Sequence, residues 1–398
     1  MPIVNLLSLT MTFTSAVPFI RDRFTWLAYF MLAYYSFTLT IIGPLMPFLR
    51  AELKLSYTVT GLHLSGFALG MVMAGLTADR FSQWWGRRPV FWGGGAGMAL
   101  GAIALALSGH PVLTIFSTWL MGFLGSLLLI MIQTTLADRH GEQRAIAITE
   151  SNTGASLTAS FAPLIVGGFQ ATLIGWRGAL FLALITMVLL ALSLYRVAIP
   201  EAKSRGRRSA ANKQRLPLVF WAYWIVNFIG VSMEWCFIFW GADFLEKVVG
   251  LSQINAVTLM SVFLGAMVLG RFAGSRLSRG IPSARLLLGA MIITLIGFPL
   301  FWLARLAPLN IVGLFIAGFG VANLFPLTLA TAISVVPQQV DQASARISMG
   351  SGIAIFMAPL LLGWVADQLG IQSAYGIVAV LALCAIVVVA ATNRVATR

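Results

Sequence analysis

The sequence predicts an all-α membrane protein with twelve transmembrane helices in two pseudo-symmetric six-helix bundles. Of its 398 residues, 59% are apolar and only 10% are charged, whereas a soluble protein of this length carries about a quarter charged residues. Apolar segments long enough to cross a bilayer fill almost the whole chain, and several stretches of the first half recur in the second. A chain of this composition needs lipid as its solvent.

Each predicted span contains roughly 20 or more largely apolar residues, the length that about 30 Å of hydrocarbon requires. The spans should be helices, because lipid offers no hydrogen-bonding partner to free backbone groups. In chain order they cover residues 24–48, 57–79, 88–108, 113–137, 146–170, 176–198, 217–245, 253–276, 284–304, 308–335, 344–366 and 372–392.

The basic residues predict the orientation of the chain in the membrane. With the N-terminus inside, all but five of the 26 Lys and Arg residues fall in inner loops and helix ends, as the positive-inside rule requires. An even number of spans then places both termini in the cytoplasm. We therefore expect an integral protein of a bacterial plasma (inner) membrane. The five outer basic residues are Arg50, Lys54, Arg177, Lys247 and Arg305.

A long polar stretch in the middle of the chain divides it into two parts. It predicts a flexible cytoplasmic linker whose basic run is an orientation signal and a hinge; contact of this run with anionic lipid headgroups is the alternative. The predicted units are a cytoplasmic leader (1–23), an N-terminal bundle (24–199), the linker (200–216) and a C-terminal bundle (217–398).

The two halves align when the chain is shifted by 196 residues. Leu55-Ser56 then falls on Leu251-Ser252, and Ala162-Pro163-Leu164 falls on Ala358-Pro359-Leu360. Duplicated halves with a binding site between them are a transporter architecture.

A motif follows the second predicted span. It reads Gly75-Leu-Thr-Ala-Asp79-Arg80-Phe81, then four residues (82–85), then Gly86-Arg87-Arg88-Pro-Val. Without residues 82–85 it resembles the signature loop between helices 2 and 3 of the major facilitator superfamily. The resemblance implies a conformational gate, in which Asp79, Arg80, Arg87 and Arg88 hold the halves together on the cytoplasmic side in one transport state. A carboxylate at a helix end accepts bonds from N-terminal amides and pairs with Arg.

More loosely, the second half resembles the fucose-permease branch of that superfamily. The similar residues are the segment from Gly230 to Trp235, Trp240, Gly270-Arg271, and the segment from Gly318 to Pro326. This resemblance implies proton-coupled uptake of a sugar or a similar polar solute.

Glu234 is the first candidate for proton coupling. It lies near the middle of the seventh predicted span, where a charge is costly and usually functional. Burial favours the neutral form of a carboxyl group, which lets it exchange a proton near neutral pH. Tyr223, Asn227 and Glu234 recur at helical spacing and predict a polar stripe along a central cavity. The alternative is a permanently protonated Glu234 that bonds a neighbouring helix.

Glu150 is the second candidate for proton coupling. Gln133 and Asn152 are expected near it on adjacent helices, at the inner end of the solute path. Under the 196-residue shift Glu150 falls on Arg346, which predicts a charged gate between the halves. The alternative is a charge pair with Arg144 at the level of the headgroups.

The remaining substrate-binding candidates are polar or aromatic side chains within the spans. His63 can titrate near neutral pH, Trp235 can stack on a ring-shaped solute, and Asn323 marks a predicted helix bend between Gly320 and Pro326. The full set of substrate-binding candidates is Tyr34, His63, Gln133, Asn152, Tyr223, Asn227, Trp235 and Asn323.

These features predict a secondary active transporter that moves a small polar solute by alternating access with proton coupling. A proton-driven efflux pump for lipophilic compounds is an alternative on the same fold, and an aromatic cavity with few polar groups would favour it. An enzyme or a non-transporting sensor is the alternative from another class, although the three histidines are scattered. We expect no cofactor, metal or nucleic acid. The expected partners are the solute, protons and membrane lipids, and the expected state is a monomer.

Overall fold

The computed structural model describes residues 19–201 and 215–396. Eleven of its helical segments are long and apolar enough to cross a membrane, and one of them, Pro111–Gln170, has 60 residues and contains two spans joined by a 3₁₀ turn. This agrees with the predicted count of twelve. The N-terminal half contains α1 (Arg23–Leu53), α2 (Tyr57–Trp85), α3 (Arg87–Leu107), α4 (Pro111–His140), α5 (Arg144–Gln170) and α6 (Arg177–Leu194).

The C-terminal half begins after the linker, of which residues 202–214 lie outside the described part of the chain. Residues 1–18 of the predicted leader lie outside it as well. A short helix, Ile371–Ala374, precedes the last span. The spans of this half are α7 (Leu218–Lys247), α8 (Gln253–Leu277), α9 (Ser283–Leu303), α10 (Ala307–Ser334), α11 (Val340–Leu369) and α12 (Gly376–Ala396).

Two spans are broken near their centres. α1 consists of Arg23–Thr40 and Ile42–Leu53, and α10 consists of Ala307–Val321 and Leu324–Ser334. Each break falls three or four residues before a proline, Pro44 or Pro326. A proline ring clashes with the carbonyl group four residues earlier and removes one backbone donor. The break in α10 contains Asn323, where the sequence predicts a bend.

Residues 82–85 belong to a helix and not to a loop. The predicted second span ends at residue 79, whereas α2 continues to Trp85 and stops at Gly86, whose φ is 80°. An α-helix has 3.6 residues per turn. The four extra residues therefore add about one turn and return the chain to nearly the same side of the helix, which explains how the signature motif accommodates them.

The internal repeat corresponds to equivalent helix starts. The side chain of Ser56 accepts a bond from the Val59 amide at the start of α2. The side chain of Ser252 accepts one from the Asn255 amide at the start of α8. Serine at this position satisfies a donor that the helix itself leaves unpaired. The repeated Leu-Ser pairs are thus the N-terminal caps of corresponding spans.

The two ends of the bundle differ in how the halves meet. We call the end where α6 leaves and α7 begins the linker face, and the opposite end the far face. At the far face, the Asp367 carboxylate of α11 accepts bonds from the Tyr57 and Thr58 amides at the start of α2, at 2.7 and 2.8 Å. Deeper inside, the Ser65 hydroxyl donates to the Phe356 carbonyl at 2.7 Å. These bonds join α2 to α11.

An ion pair joins α1 to α7 at the same face. Arg50 pairs with Asp243, whose side chain is 0% exposed. The Arg50 guanidinium also lies 4.3 Å from the centre of the Tyr57 ring, and that ring packs edge-on against Trp240 across the halves. Charge, cation–π contact and aromatic packing together seal the far face.

Toward the linker face the halves separate. Leu76 on α2 and Met349 on α11 are exposed, and so are Asp79 and Arg346 nearer the ends of the same two spans. Among the described residues, the polar contacts between the halves lie in the far-face part of the bundle, apart from one bond at about mid-depth. The space between the halves is therefore a cleft that is closed at the far face and open at the linker face.

The far-face seal should weaken when its buried charge loses its partner. Asp243→Ala removes the carboxylate that bonds the largely buried Arg50, and breaking a buried pair in this way costs about 3 kcal/mol or more. We expect Ser65→Cys, in a chain with Cys236 and Cys384 replaced by Ala, to react at least about tenfold faster with a membrane-impermeant maleimide added at the far face. The matched control is Glu52→Ala, which breaks the exposed Arg177–Glu52 pair within one half. Equal labelling of both variants would contradict the assignment of Asp243 to the seal.

Candidate functional site

A polar network crosses between the halves at about mid-depth. The Arg271 guanidinium of α8 donates to the Ser156 hydroxyl of α5 at 2.8 Å. Its other terminal nitrogen lies 3.4 Å from a carboxylate oxygen of Glu234 on α7. The side chain of Glu234 is 13% exposed and that of Arg271 is 42% exposed. Glu234 therefore has a counter-charge beside it, the Arg271 guanidinium, which is hydrogen-bonded to Ser156 of the other half.

The break in α10 positions this network. Asn323, which lies in the break, donates its amide hydrogen to the Gly270 carbonyl at 2.8 Å. Gly270 directly precedes Arg271, and a Cβ atom at Gly270 would lie only 2.4 Å from the Phe319 carbonyl oxygen of α10. The backbone that carries Arg271 is thus packed tightly against α10 and fixed by a hydrogen bond.

Aromatic side chains line the cleft between this network and the linker face. On α1, Trp26 and Phe30 are exposed and stack on each other, with ring centres 6.0 Å apart. On α7, Trp221 is exposed and Trp224 stacks on Phe228 at 5.9 Å. The linker-face part of α1 packs against α3, α4, α5 and α6, while α7 packs against α8, α10, α11 and α12, and the two spans touch each other at the far face. Their exposed stripes therefore border the gap between the halves.

The predicted polar stripe of α7 is mostly engaged inside the C-terminal half. Asn227 is 1% exposed, and its amide donates to the Ile347 carbonyl and the Ser351 hydroxyl of α11. Tyr223 is buried as well. Trp235 is partly exposed next to Glu234. The structure thus brings Glu234 and Trp235 near the cleft and leaves Tyr223 and Asn227 in helix packing.

Two other substrate-binding candidates are buried within the N-terminal half. The Tyr34 hydroxyl donates to the Gly95 carbonyl at 3.2 Å, between α1 and α3. His63 is 0% exposed, and its ring bonds Thr114 of α4 at 2.9 Å and backbone carbonyls of its own helix. Both side chains tie neighbouring spans together at these positions.

Glu150 lies near the linker face with a partner that the sequence does not indicate. Arg21 donates two bonds to its carboxylate, at 2.8 and 2.5 Å, and the Tyr29 hydroxyl adds a third at 3.0 Å. The pair joins the segment before α1 to α5, in place of the predicted pairing with Arg346 or Arg144. Gln133 and Asn152 are exposed on α4 and α5, and Asn152 bonds a carbonyl of its own helix.

Most of the chain matches membrane transporters. The family model described as Major Facilitator Superfamily matches residues 26–340 and 282–397. The chain belongs to the major facilitator superfamily. An uncharacterized MFS-type transporter of Yersinia pestis is 26% identical over 370 residues, covering 89% of this chain and 91% of that protein. The multidrug resistance protein MdtL of Escherichia coli O157:H7 is 22% identical over 351 residues, with 85% of each chain covered.

The fold is similar to that of solved members of the superfamily. The crystal structure of a bacterial homolog to the human lysosomal transporter Spinster superposes with a TM-score of 0.77. The alignment covers 94% of this chain and 97% of that one, at 14% sequence identity. This likeness extends over both six-helix halves and confirms the major facilitator fold.

Two signature residues of the superfamily, Arg87 and Arg88, bond within the N-terminal half in this structure. Arg87 is buried and pairs with Asp138 of α4 at 2.5 Å. Arg88 donates to the Tyr195 carbonyl at 2.6 Å and packs on that ring. Asp79 and Arg80 are exposed at the linker face. Their predicted gate role concerns a state in which the linker face is closed, and it stays a prediction.

Two residues of the central network are absent from the candidates that the sequence provides. Arg271 falls among the basic residues at inner helix ends, although it lies six residues before the end of α8, about 9 Å along the axis. A charged residue inside an apolar segment is the same signal that identifies Glu234. Ser156 has no comparable signal, because its role depends on which helix of the other half packs against α5.

The packing that holds Arg271 can be tested with two glycines of α8. Gly270→Ala forces a Cβ atom against a backbone carbonyl of α10, and we expect it to lower the free energy of unfolding by about 1–3 kcal/mol. Gly265→Ala is the control, because nothing lies within 4 Å of a Cβ atom there; it should be neutral or slightly stabilising. Thermal unfolding in detergent measures both, and equal melting temperatures would show that α8 and α10 do not pack as described.

Proposed function

We propose that this chain is a secondary active transporter that couples protonation of Glu234 to the movement of an amphipathic organic solute. The observation that supports this proposal is the Glu234–Arg271–Ser156 network. It places a carboxyl group and a counter-charge at mid-depth, in contact with both halves. Protonating Glu234 removes one charge of the pair, which changes the energy of the contact between the halves.

The lining of the cleft favours an amphipathic solute over a sugar. A sugar site needs several polar side chains that converge on hydroxyl groups, and Tyr223 and Asn227 are buried in helix packing. Trp26, Phe30 and Trp221 instead offer flat apolar surfaces on the way to Arg271. The 22% identity to a multidrug resistance protein also supports an apolar body for the solute.

The predicted topology indicates which side of the membrane the open cleft faces. If the basic loops lie inside, the linker face is cytoplasmic and this structure is the inward-open state. We place the protein in a bacterial inner membrane with both termini in the cytoplasm, as the distribution of Lys and Arg requires. A sensor with the same fold would show no solute flux in reconstituted vesicles.

Proton coupling can be separated from solute binding with one substitution. In proteoliposomes, Glu234→Gln should abolish accumulation driven by a pH gradient and retain exchange of solute at equal pH, because the glutamine stands in for a permanently protonated carboxyl group. Glu52→Gln is the control, because Glu52 pairs with Arg177 at an exposed position within the N-terminal half. A Glu234→Gln variant that still accumulates solute against its gradient would rule out this coupling role.

A further inference from the structure

The ion pair in the cleft differs from the other two arginine–glutamate pairs of the described residues. Arg21 holds Glu150 through two bonds, at 2.8 and 2.5 Å. Arg177 holds Glu52 through two bonds, at 2.9 and 2.5 Å. Arg271 reaches Glu234 through a single contact of 3.4 Å. The pair that lies deepest between the halves is thus the loosest of the three.

The guanidinium of Arg271 retains donors for a further partner. A guanidinium has five N–H donors in a planar fork that fits a carboxylate in two-point contact. Its described bonds are one to Ser156 and one long contact to Glu234, and 42% of the side chain is exposed. In an interior site, an exposed guanidinium with a weakly held counterion is suited to exchange that counterion.

We propose that Arg271 binds the anionic group of the substrate, and that the substrate is an amphipathic organic monoanion, a carboxylate with an apolar or aromatic body. This inference rests on the proposed function and specifies its substrate class. The substrate carboxylate takes the place of Glu234 beside Arg271, while Glu234 accepts a proton and becomes neutral. The aromatic stripes of α1 and α7 contact the apolar body.

Charge balance couples binding of the substrate anion to protonation of Glu234. The empty site contains an Arg271 cation and a Glu234 anion, and the loaded site contains an Arg271 cation, a substrate anion and a neutral Glu234. Both states are neutral in sum. A substrate anion without the proton, or a proton without the substrate, leaves one net charge between the halves, which is costly in a site of low dielectric constant. One proton therefore moves with one monoanion in the same direction.

The charge around the cleft also favours an anion. Arg346 is exposed at the linker face on α11, and the Glu150 carboxylate of the other half is already paired with Arg21. A cationic solute would have to bind Glu234 directly beside Arg271, where the guanidinium repels it. A dianion would leave a negative charge uncompensated. The monoanion is the substrate class that the described charges accommodate.

Matched compounds test this inference. The full-length chain is reconstituted in liposomes, and exchange at equal pH is measured for benzoate, 3-phenylpropionate and indole-3-acetate, and for the amide and the amine of each carbon skeleton. We expect at least one acid to exchange, and its amide and amine to exchange at least about tenfold more slowly.

Variants assign the anion site. Arg271→Gln should abolish exchange of the acid, Arg271→Lys should raise its KM, and Glu234→Gln should keep exchange while losing accumulation driven by pH. The control is Arg276→Gln, which removes a charge from the same span where Arg276 packs on Phe272. The double variant Glu234→Gln/Arg271→Gln contains neither charge of the pair. If it unfolds at the same temperature as the unsubstituted protein, its loss of exchange does not come from misfolding.

The outcomes separate this inference from the proposed function. Exchange of an amine or amide in preference to its acid, or full exchange of an acid by Arg271→Gln, overturns the anion site and leaves a proton-coupled transporter of amphipathic solutes. If no acid exchanges while a lipophilic dye is moved by a pH gradient, the anion inference is also wrong. If neither the acids nor such a dye move with a pH gradient, the proposed function itself fails.

Discussion

The cost of an uncompensated charge inside the membrane is the constraint on which the structure of the cleft depends. Glu234 and Arg271 stand on adjacent spans of one half, and Ser156 of the other half holds the cation. Each charged side chain is costly without its partner at this depth. Any change in the charge of one member must therefore be matched by a proton, a bound ion or a movement of the halves. This requirement couples protonation of Glu234 to movement of the two halves.

The rest of the fold can respond to a change of charge at Glu234 because it has a closed end, an open end and a broken helix beside the site. The far face is closed by contacts of several kinds, with Asp367 bonding the start of α2 and Arg50 pairing with Asp243. The linker face is open and lined by aromatic rings. The broken span α10 supports the network through Asn323 and Gly270, so that a change in the angle of the break would move Arg271. The break thus contacts the helix that carries Arg271, and α7 carries both Glu234 of the site and Asp243 of the seal.

Patterns that depend on composition and local spacing predict the fold correctly. Apolar length predicts the twelve spans, and the repeated Leu-Ser pairs mark equivalent helix starts. Glu234 is found from sequence because an acid near the middle of an apolar segment is a strong signal, and Asn323 because glycine and proline flank it. Ser156, Asp243 and Arg21 are not found, because their roles depend on which helices pack together across tens or hundreds of residues. The stripe at Tyr223 and Asn227 shows the converse case: periodicity identifies a common helix face, and tertiary packing decides what that face meets.

Closing and opening of the far face is the movement on which the whole account depends, and a reversible cross-link measures it most directly. In a chain with Cys236 and Cys384 replaced by Ala, Thr58→Cys and Asp367→Cys place two thiols where the native side chains are 2.5 Å apart. We expect oxidation to stop solute exchange and reduction to restore it, with each single variant active under both conditions. Full exchange by the cross-linked protein would contradict alternating access between two rocking halves.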